Sequence, residues 1–412
     1  MKILLLSRYF PPEIGTAANL FYDLASGLSK KGHEVTVLTG FPWYNLKEIP
    51  EKYRGKLWMK ENYNGVNVRR LSIPVWGPLK IKLAAGHLTS PLSAVLAGLN
   101  ISRPDIIFAY SPPLPFGVSG WILKLIKKCP FILGVQDLHP QCYIDQGVLK
   151  NRFLIGILEA IERFCYKHSS TITVHSEGNK EHVVKKKDAP ERKVVVLPNW
   201  INTDEIKPLP RTNPFTLKYG LNDKFIVGYA GTLGMSQGPM NIVETAALLK
   251  NHENIKFFVV GDGLEKEAML KRAEELELKN IRFLPMQPKE IYPWVVASCD
   301  VGLVTLNAKV KTPVVPSKIL SMMAAARPVL ASMPLEGDAP KLIKDAGCGL
   351  SVEPDNPSAM ADAIIYLYEN ADMCEKFSRQ GREYILKTMS LDKVVTDLEY
   401  LFHGIAQKQT FL

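Results

Sequence analysis

The 412-residue chain has few cysteines, no C-x-x-C pair and no cluster at metal-ligand spacing. Six cysteines over this length cannot make a disulfide scaffold, and unpaired they suggest neither a zinc ribbon nor a thiol redox centre. No low-complexity tract or short repeat is present. With 46% hydrophobic residues the chain is too apolar to be disordered. Met1–Leu6 is too short and wrongly flanked for a secretory signal, so a reducing, cytoplasmic setting is expected. Acidic residues are scarce in the first half. Residues 1–200 hold 27 Lys and Arg against 15 Asp and Glu, a net of +12, whereas residues 201–412 hold 24 against 26, a net of −2. A lopsided basic half suggests nucleic acid, an anionic membrane face or a phosphorylated substrate; the alternative is a solvated basic surface.

The hydrophobic pattern alternates between strand and helix. Lys2–Leu6 is an apolar run ending in a turn. Leu20, Leu24 and Leu28 then recur at helical spacing, and Lys30-Lys31-Gly32 closes that helix. Strands are expected near residues 34–39, 105–109, 131–135, 171–175 and 193–197. The same grammar restarts at 225–230 and continues at 256–260, 281–284, 300–306, 328–332 and 349–352. Strands alternating with helices predict parallel sheets covered on both faces. Pro208, Pro210 and Pro214 read as a linker. The expectation is two doubly wound α/β domains, residues 1–203 and 204–390, with about 391–412 crossing back to the first.

Residues 83–102 carry no formal charge, but Gly86, His87, Pro91 and several hydroxyls argue against a lone span in lipid. Upstream, residues 47–82 contain nine Lys and Arg against three acids, with Trp58, Trp76 and tyrosines interleaved. This suits a segment lying on anionic lipid, or an ordinary buried helix behind a basic insertion.

Ligands of open α/β sheets bind at strand carboxyl ends, where helix N-termini offer free N–H groups. Two turns fit. Pro11–Ala18 follows the first strand, with Gly15 and Thr16 opening a helix. Gly228–Gly238 follows the first strand of the second half and contains Gly231, Thr232, Leu233 and Gln237. Its four glycines suit a diphosphate cradle, although neither turn matches G-x-G-x-x-G or a Walker loop. In Gly261-Asp262-Gly263 the carboxylate either caps the next helix or holds a sugar hydroxyl. At Pro316-Ser317-Lys318, Ser317 reads as a helix cap, and Lys318 sits in a first turn where a cation is unfavourable unless an anion shares the site. Asp137 and His139 follow the strand at 131–135 and suit acid/base or sugar-binding work, or simply cap the next element.

Together these residues resemble a GT-B glycosyltransferase of the large retaining family four. Within it the likeness is to bacterial enzymes of colanic acid, capsule and O-antigen biosynthesis, including fucosyl- and N-acetylfucosaminyltransferases. It rests on Arg8–Gly15, the Gly32–Thr39 run, Asp137-Leu138-His139-Pro140, Leu197-Pro198-Asn199, Gly231–Gly238, Val259–Gly263 and Val315–Lys318. The resemblance implies two Rossmann-like domains facing a central cleft, the second binding a nucleotide-sugar and the first its acceptor. It implies retention, no metal, and a diphosphate oxygen that takes the acceptor's proton. Asp137, His139 and Lys318 are the implied catalytic groups. Gly15, Thr16, Gly231, Thr232, Leu233, Gln237, Gly261, Asp262, Met286, Gln287, Pro316, Ser317, Lys318 and Ser321 are the implied donor ligands. Gln237 stands where the family commonly has lysine. Ser321 stands where a ribose-binding glutamate is expected, and the first glutamate of that pattern falls near Pro313. Lys318 would then replace the missing lysine.

The partners so implied are a GDP- or UDP-linked sugar, a polyprenyl-diphosphate-linked acceptor and the inner face of the cytoplasmic membrane, with no nucleic acid. A sugar-nucleotide 2-epimerase and a binding scaffold without turnover are the alternatives. The epimerase would have no reason for a basic, apolar first half.

Overall fold

The computed structural model describes residues 1–13, 15–42, 46, 48–72 and 79–410, with backbone alone at 79–88 and 408–410. Lys47 and Trp76, and the side chains of Lys80, Lys82 and His87, lie outside the described residues. The chain divides into two compact units, Met1–Trp200 with Leu391–Leu412, and Ile201–Ser390.

The first unit runs β1 (Lys2–Leu6), α1 (Thr16–Lys30), β2 (Glu34–Thr39), β3 (Trp58–Tyr63), β4 (Val66–Leu71), α2 (Leu79–Leu99), β5 (Ile106–Ser111), α3 (Phe116–Lys127), β6 (Phe131–Val135), α4 (Gln141–Asp145), α5 (Arg152–His168), β7 (Thr171–Val174), α6 (Glu177–Lys185) and β8 (Val194–Val196). The second runs α7 (Pro214–Tyr219), β9 (Phe225–Ala230), α8 (Met240–Leu248), β10 (Ile255–Val260), α9 (Lys266–Glu275), β11 (Ile281–Leu284), α10 (Tyr292–Ala297), β12 (Val301–Thr305), α11 (Ser317–Ala324), β13 (Val329–Ser332), α12 (Asp338–Ala346), β14 (Gly349–Val352), α13 (Pro357–Glu369) and α14 (Ala371–Thr388). The last helix, α15 (Leu391–Thr410), belongs to the first unit.

The two sheets are ordered β3-β4-β2-β1-β5-β6-β7-β8 and β11-β10-β9-β12-β13-β14. Every pairing is parallel except β3 with β4. Helices cover both faces, so central strands are apolar throughout: every residue of β5 and β6 is buried. In α15, Val394, Val395, Leu398 and Phe402 are buried in the same cluster as Phe21, Leu24 and Leu28 of α1. Their spacing is one helical stripe.

Three expectations change. The basic stretch contains an antiparallel hairpin, β3–β4, at the sheet edge. Arg70 is fully buried in it rather than presented to a surface. Residues 201–213 are not a free linker. Ile206 enters the second unit's core, and the Arg211 Nε donates to Asp300 Oδ1 at 2.7 Å. In the uncharged stretch, Ala94 and Ala97 face the core while Leu92, Leu96 and Leu99 are about half exposed. Among the described residues no helix is long and apolar enough to cross a membrane.

Candidate functional site

In the second unit the chain steps outward from β9 to β11, then returns to build β12–β14 on the other side. The crevice at the carboxyl ends of β9 and β12 is therefore the topological switch point, where open sheets bind ligands. Gly231 leaves β9 with φ +144°, a conformation side chains rarely adopt. A Cβ at Gly261 would lie 1.9 Å from the Gly231 carbonyl oxygen, so the turns after β9 and β10 lie against each other. Leu233 N–H donates to Asp262 O at 2.9 Å, and Glu265 N–H donates to Leu233 O at 3.0 Å. Leu233 is buried beneath, while Thr232 and Asp262 are exposed. Asp262 does not cap α9, which lacks a side-chain cap. Its Oδ1 instead accepts from Gly263 N–H at 2.9 Å and closes its own turn.

Gln237 ends a single turn of 3₁₀ helix before α8 and is half-buried. That turn is pinned from β12. Asn307 N–H donates to Ser236 O at 2.9 Å, its Nδ2 donates to Met235 O at 2.7 Å, and Asp355 Oδ2 accepts from Ala308 N–H at 3.0 Å. These pinning residues were not legible in the sequence. The contacts span some 70 residues of chain and need the β9–β12 adjacency.

Lys318 is the electrostatic centre of the crevice. Its Nζ lies 5.0 Å from the centroid of the Tyr229 ring. Its Cε is 2.4 Å from where a Cβ at Gly231 would sit, so only glycine lets the amine cross the turn. The Tyr229 hydroxyl donates to Thr232 O at 2.6 Å, holding the ring under the amine. Burial pushes the amine down to about 8, and no charged neighbour offsets that. Ser317 is the first residue of α11 rather than its cap; the cap position is Pro316, which supplies no side-chain acceptor. A desolvated cation at a helix amino end favours an anion there.

Ser321 is buried, and its hydroxyl donates to Ser317 O at 3.2 Å. Met286 is exposed beyond β11, and Gln287 Nε2 donates to Pro285 O at 2.8 Å. The structure thus gathers Gly231, Thr232, Leu233, Gln237, Gly261, Asp262, Pro316, Ser317 and Lys318 at the ends of β9, β10 and β12. It leaves Met286 and Gln287 at the edge strand.

The first unit has its own switch point, between β1 and β5. Gly15 is the N-cap of α1, in extended backbone, and Thr16 opens the helix without an acidic residue in its first turn. The preceding turn is tethered. Arg70 donates to the Pro11 and Gly40 carbonyls and pairs with Glu61 at 2.6 Å; Glu61 also accepts from Lys52 at 3.0 Å. Arg8 and Glu13 are both buried there and attract each other. Asp137 follows β6. The residue is exposed by surface area, yet protein packed around its carboxyl desolvates it and pushes it up to about 6. Its carbonyl accepts from His139 N–H at 2.9 Å, and the His139 ring packs edge-on to Tyr143 at 4.6 Å.

Residues 217–384 match the family model of glycosyl transferases group 1, and residues 15–200 match that of a glycosyl transferase 4-like domain. The chain is 24% identical over 407 residues to the colanic acid biosynthesis glycosyl transferase WcaI assigned to Escherichia coli (strain K12), covering 96% of this chain and 98% of that one. It is 29% identical over 291 residues to the glycosyltransferase WbjE of Pseudomonas aeruginosa, covering 69% and 72%. Among solved structures, Anabaena HepE in complex with UDP superposes with TM-score 0.74 at 18% identity, covering 98% of this chain and 100% of that chain. With two glycosyltransferase models covering its two halves and the fold shared throughout, the chain belongs to the family-four glycosyltransferases of the GT-B fold.

Proposed function

We propose that the protein transfers a sugar, with retention, from a nucleoside diphosphate donor to a polyprenyl-diphosphate-linked acceptor during cell-surface polysaccharide biosynthesis. A fucose or N-acetylfucosamine type of sugar is the favoured donor, carried on UDP or GDP and used without a metal at the inner face of the cytoplasmic membrane. The observation that carries the reading is Lys318: a desolvated amine crossing Gly231 at the open end of α11. A diphosphate supplies the charge this site lacks. HepE structures hold UDP and UDP-glucose, and WcaI is named for colanic acid biosynthesis, which supports the donor class and the pathway class.

In the step proposed, the bond from the anomeric carbon to the diphosphate oxygen breaks and a bond to the acceptor oxygen forms on the same face. The acceptor proton passes to the departing diphosphate. The protein's contribution is electrostatic: Lys318 and the positive amino end of α11 stabilise the charge that develops on the leaving group. Asp137 and His139 are assigned to the acceptor hydroxyl. Calorimetric titration of UDP and GDP, followed by transfer from the corresponding labelled sugar to a polyprenyl-diphosphate sugar, tests this. Binding of one nucleotide, weakened at least tenfold in Lys318→Met, is expected. Equal binding to wild type and variant, or no transfer with any sugar of the bound nucleotide, overturns it.

A further inference from the structure

Two of the most exposed apolar side chains among the described residues of the first unit, Phe153 and Val148, stand where α4 leads into α5, with Leu154 and Ile157 beside them. Phe153 is 80% exposed, Val148 72%, Leu154 44% and Ile157 42%. Asn151 fixes the start of α5, its side chain accepting from Phe153 N–H at 3.0 Å and Leu154 N–H at 3.1 Å, so these residues are displayed on a capped helix rather than a frayed end. The only fully buried residues of α5 are Glu162, Cys165 and Tyr166, all in its second half.

Charge is sorted on the same helix. Its two carboxylates, Glu159 and Glu162, turn to Lys187, at 2.8 and 3.3 Å. Tyr166 also donates to Glu162 at 3.0 Å. Both acids are thereby neutralised on the protein side. The face left open carries apolar residues and the cations Lys150 and Arg152, neither of which pairs with a carboxylate among the described residues. An apolar strip flanked by unpaired cations, with the anions withdrawn, is complementary to an anionic lipid surface and repels a second copy of itself. The exposed leucines of α2 lack this complement, because the nearby Lys127 is spent on the Leu99 and Ile101 carbonyls at 2.9 and 2.6 Å.

Position adds a reason. α5 lies between parallel β6 and β7 in the chain, so its amino end stands at the carboxyl ends of the strands, the end that holds Asp137 and the Gly15 turn. We infer that the amino-terminal face of α5, through Val148, Phe153, Leu154 and Ile157 with Lys150 and Arg152, is the surface by which the protein docks on anionic membrane. This deepens the membrane-side reading above and moves the contact away from residues 47–102.

The test is flotation of the full chain with phosphatidylcholine vesicles, with and without phosphatidylglycerol. Wild type binds the anionic vesicles. Phe153→Ser with Ile157→Ser lowers that binding about a hundredfold, and Lys150→Gln with Arg152→Gln lowers it about tenfold or more and removes its salt dependence. Nucleotide binding, read on the same preparations, stays unchanged and shows that the variants are folded. Wild-type protein that ignores anionic vesicles overturns the inference. So does full binding by the serine variant, or loss of binding in Leu57→Ser with Trp58→Ser but not in the α5 variants. So does a wild-type dimer, seen by sedimentation, that the serine variant dissociates. Vesicle binding without sugar transfer defeats the proposed function and leaves this inference standing; transfer without vesicle binding does the reverse.

Discussion

The two units place similar turns at similar switch points and treat charge in opposite ways. In the basic first unit, the cations nearest the β1 turn are occupied. Arg70 is spent on Glu61 and two carbonyls, and Arg8 faces Glu13. In the nearly neutral second unit, Lys318 is half-buried over the β9 turn with the Tyr229 ring beside it, and no carboxylate offsets its desolvation. Net charge therefore points the wrong way about which turn awaits an anion. What matters is whether a cation is already neutralised. In the first turn the cations already face carboxylates, although at Arg8 burial still outweighs the attraction of Glu13. The second is electrostatically incomplete, the arrangement expected of a site that binds a diphosphate.

Removing Arg70 breaks this comparison most directly. Arg70→Met leaves Glu61 with only Lys52 and the Tyr53 hydroxyl as partners and frees the Pro11 and Gly40 carbonyls, and urea unfolding should show a loss of about 3 kcal/mol. A loss below about 1 kcal/mol would mean the first turn is not held by this pair. Lys318→Met should behave in the opposite way. It removes a desolvated, unpaired charge, so stability holds or rises, while kcat/KM for the donor falls about 10²–10³-fold. Loss of stability with activity kept would sink the contrast.

The pH dependence sharpens the same point. Anion binding favours protonated Lys318, whose amine is pushed down to about 8 in the free protein. Donor affinity should thus be constant below about pH 8 and fall about tenfold per pH unit above it. Calorimetry across that range would expose a flat profile, which would remove Lys318 from the diphosphate site. The smallest effect concerns Asp137. Its carboxyl is pushed up to about 6, above its value in the unfolded chain. Any penalty for ionising it is absent below about pH 4 and fully present above about pH 6. Asp137→Asn should consequently stabilise the fold by about 1 kcal/mol at pH 7, after allowance for its solvent contact, and by nothing at pH 4. It should also lower transfer. Equal melts at both pH values would deny the strain.

Much of this is local and was legible. Lys2–Leu6 and Phe131–Val135 are apolar runs because a parallel sheet buries both faces, and their strands lie where the runs do. Lys318 was legible because a cation in a helix's first turn is anomalous without any tertiary knowledge. The β3–β4 hairpin was not. As an edge, it alternates half-buried and exposed residues and includes Lys60 and Glu61, so it reads as a basic loop. Ser317 has the chemistry of a cap, but Pro316 takes that backbone position.

Period and turn chemistry act over a few residues, so the α/β class, the order of the parallel strands other than β4, and the placing of Gly231, Gly261, Asp137 and Lys318 at strand or helix ends are written locally in the chain. That Gly261 abuts Gly231, that Asn307 pins the 3₁₀ turn, that Arg70 is inside, and that the acids of α5 turn to Lys187 emerges from the folded arrangement alone. Each of these pairs residues distant in the chain. The energy of a charge depends on what surrounds it, and composition counts charges without their surroundings.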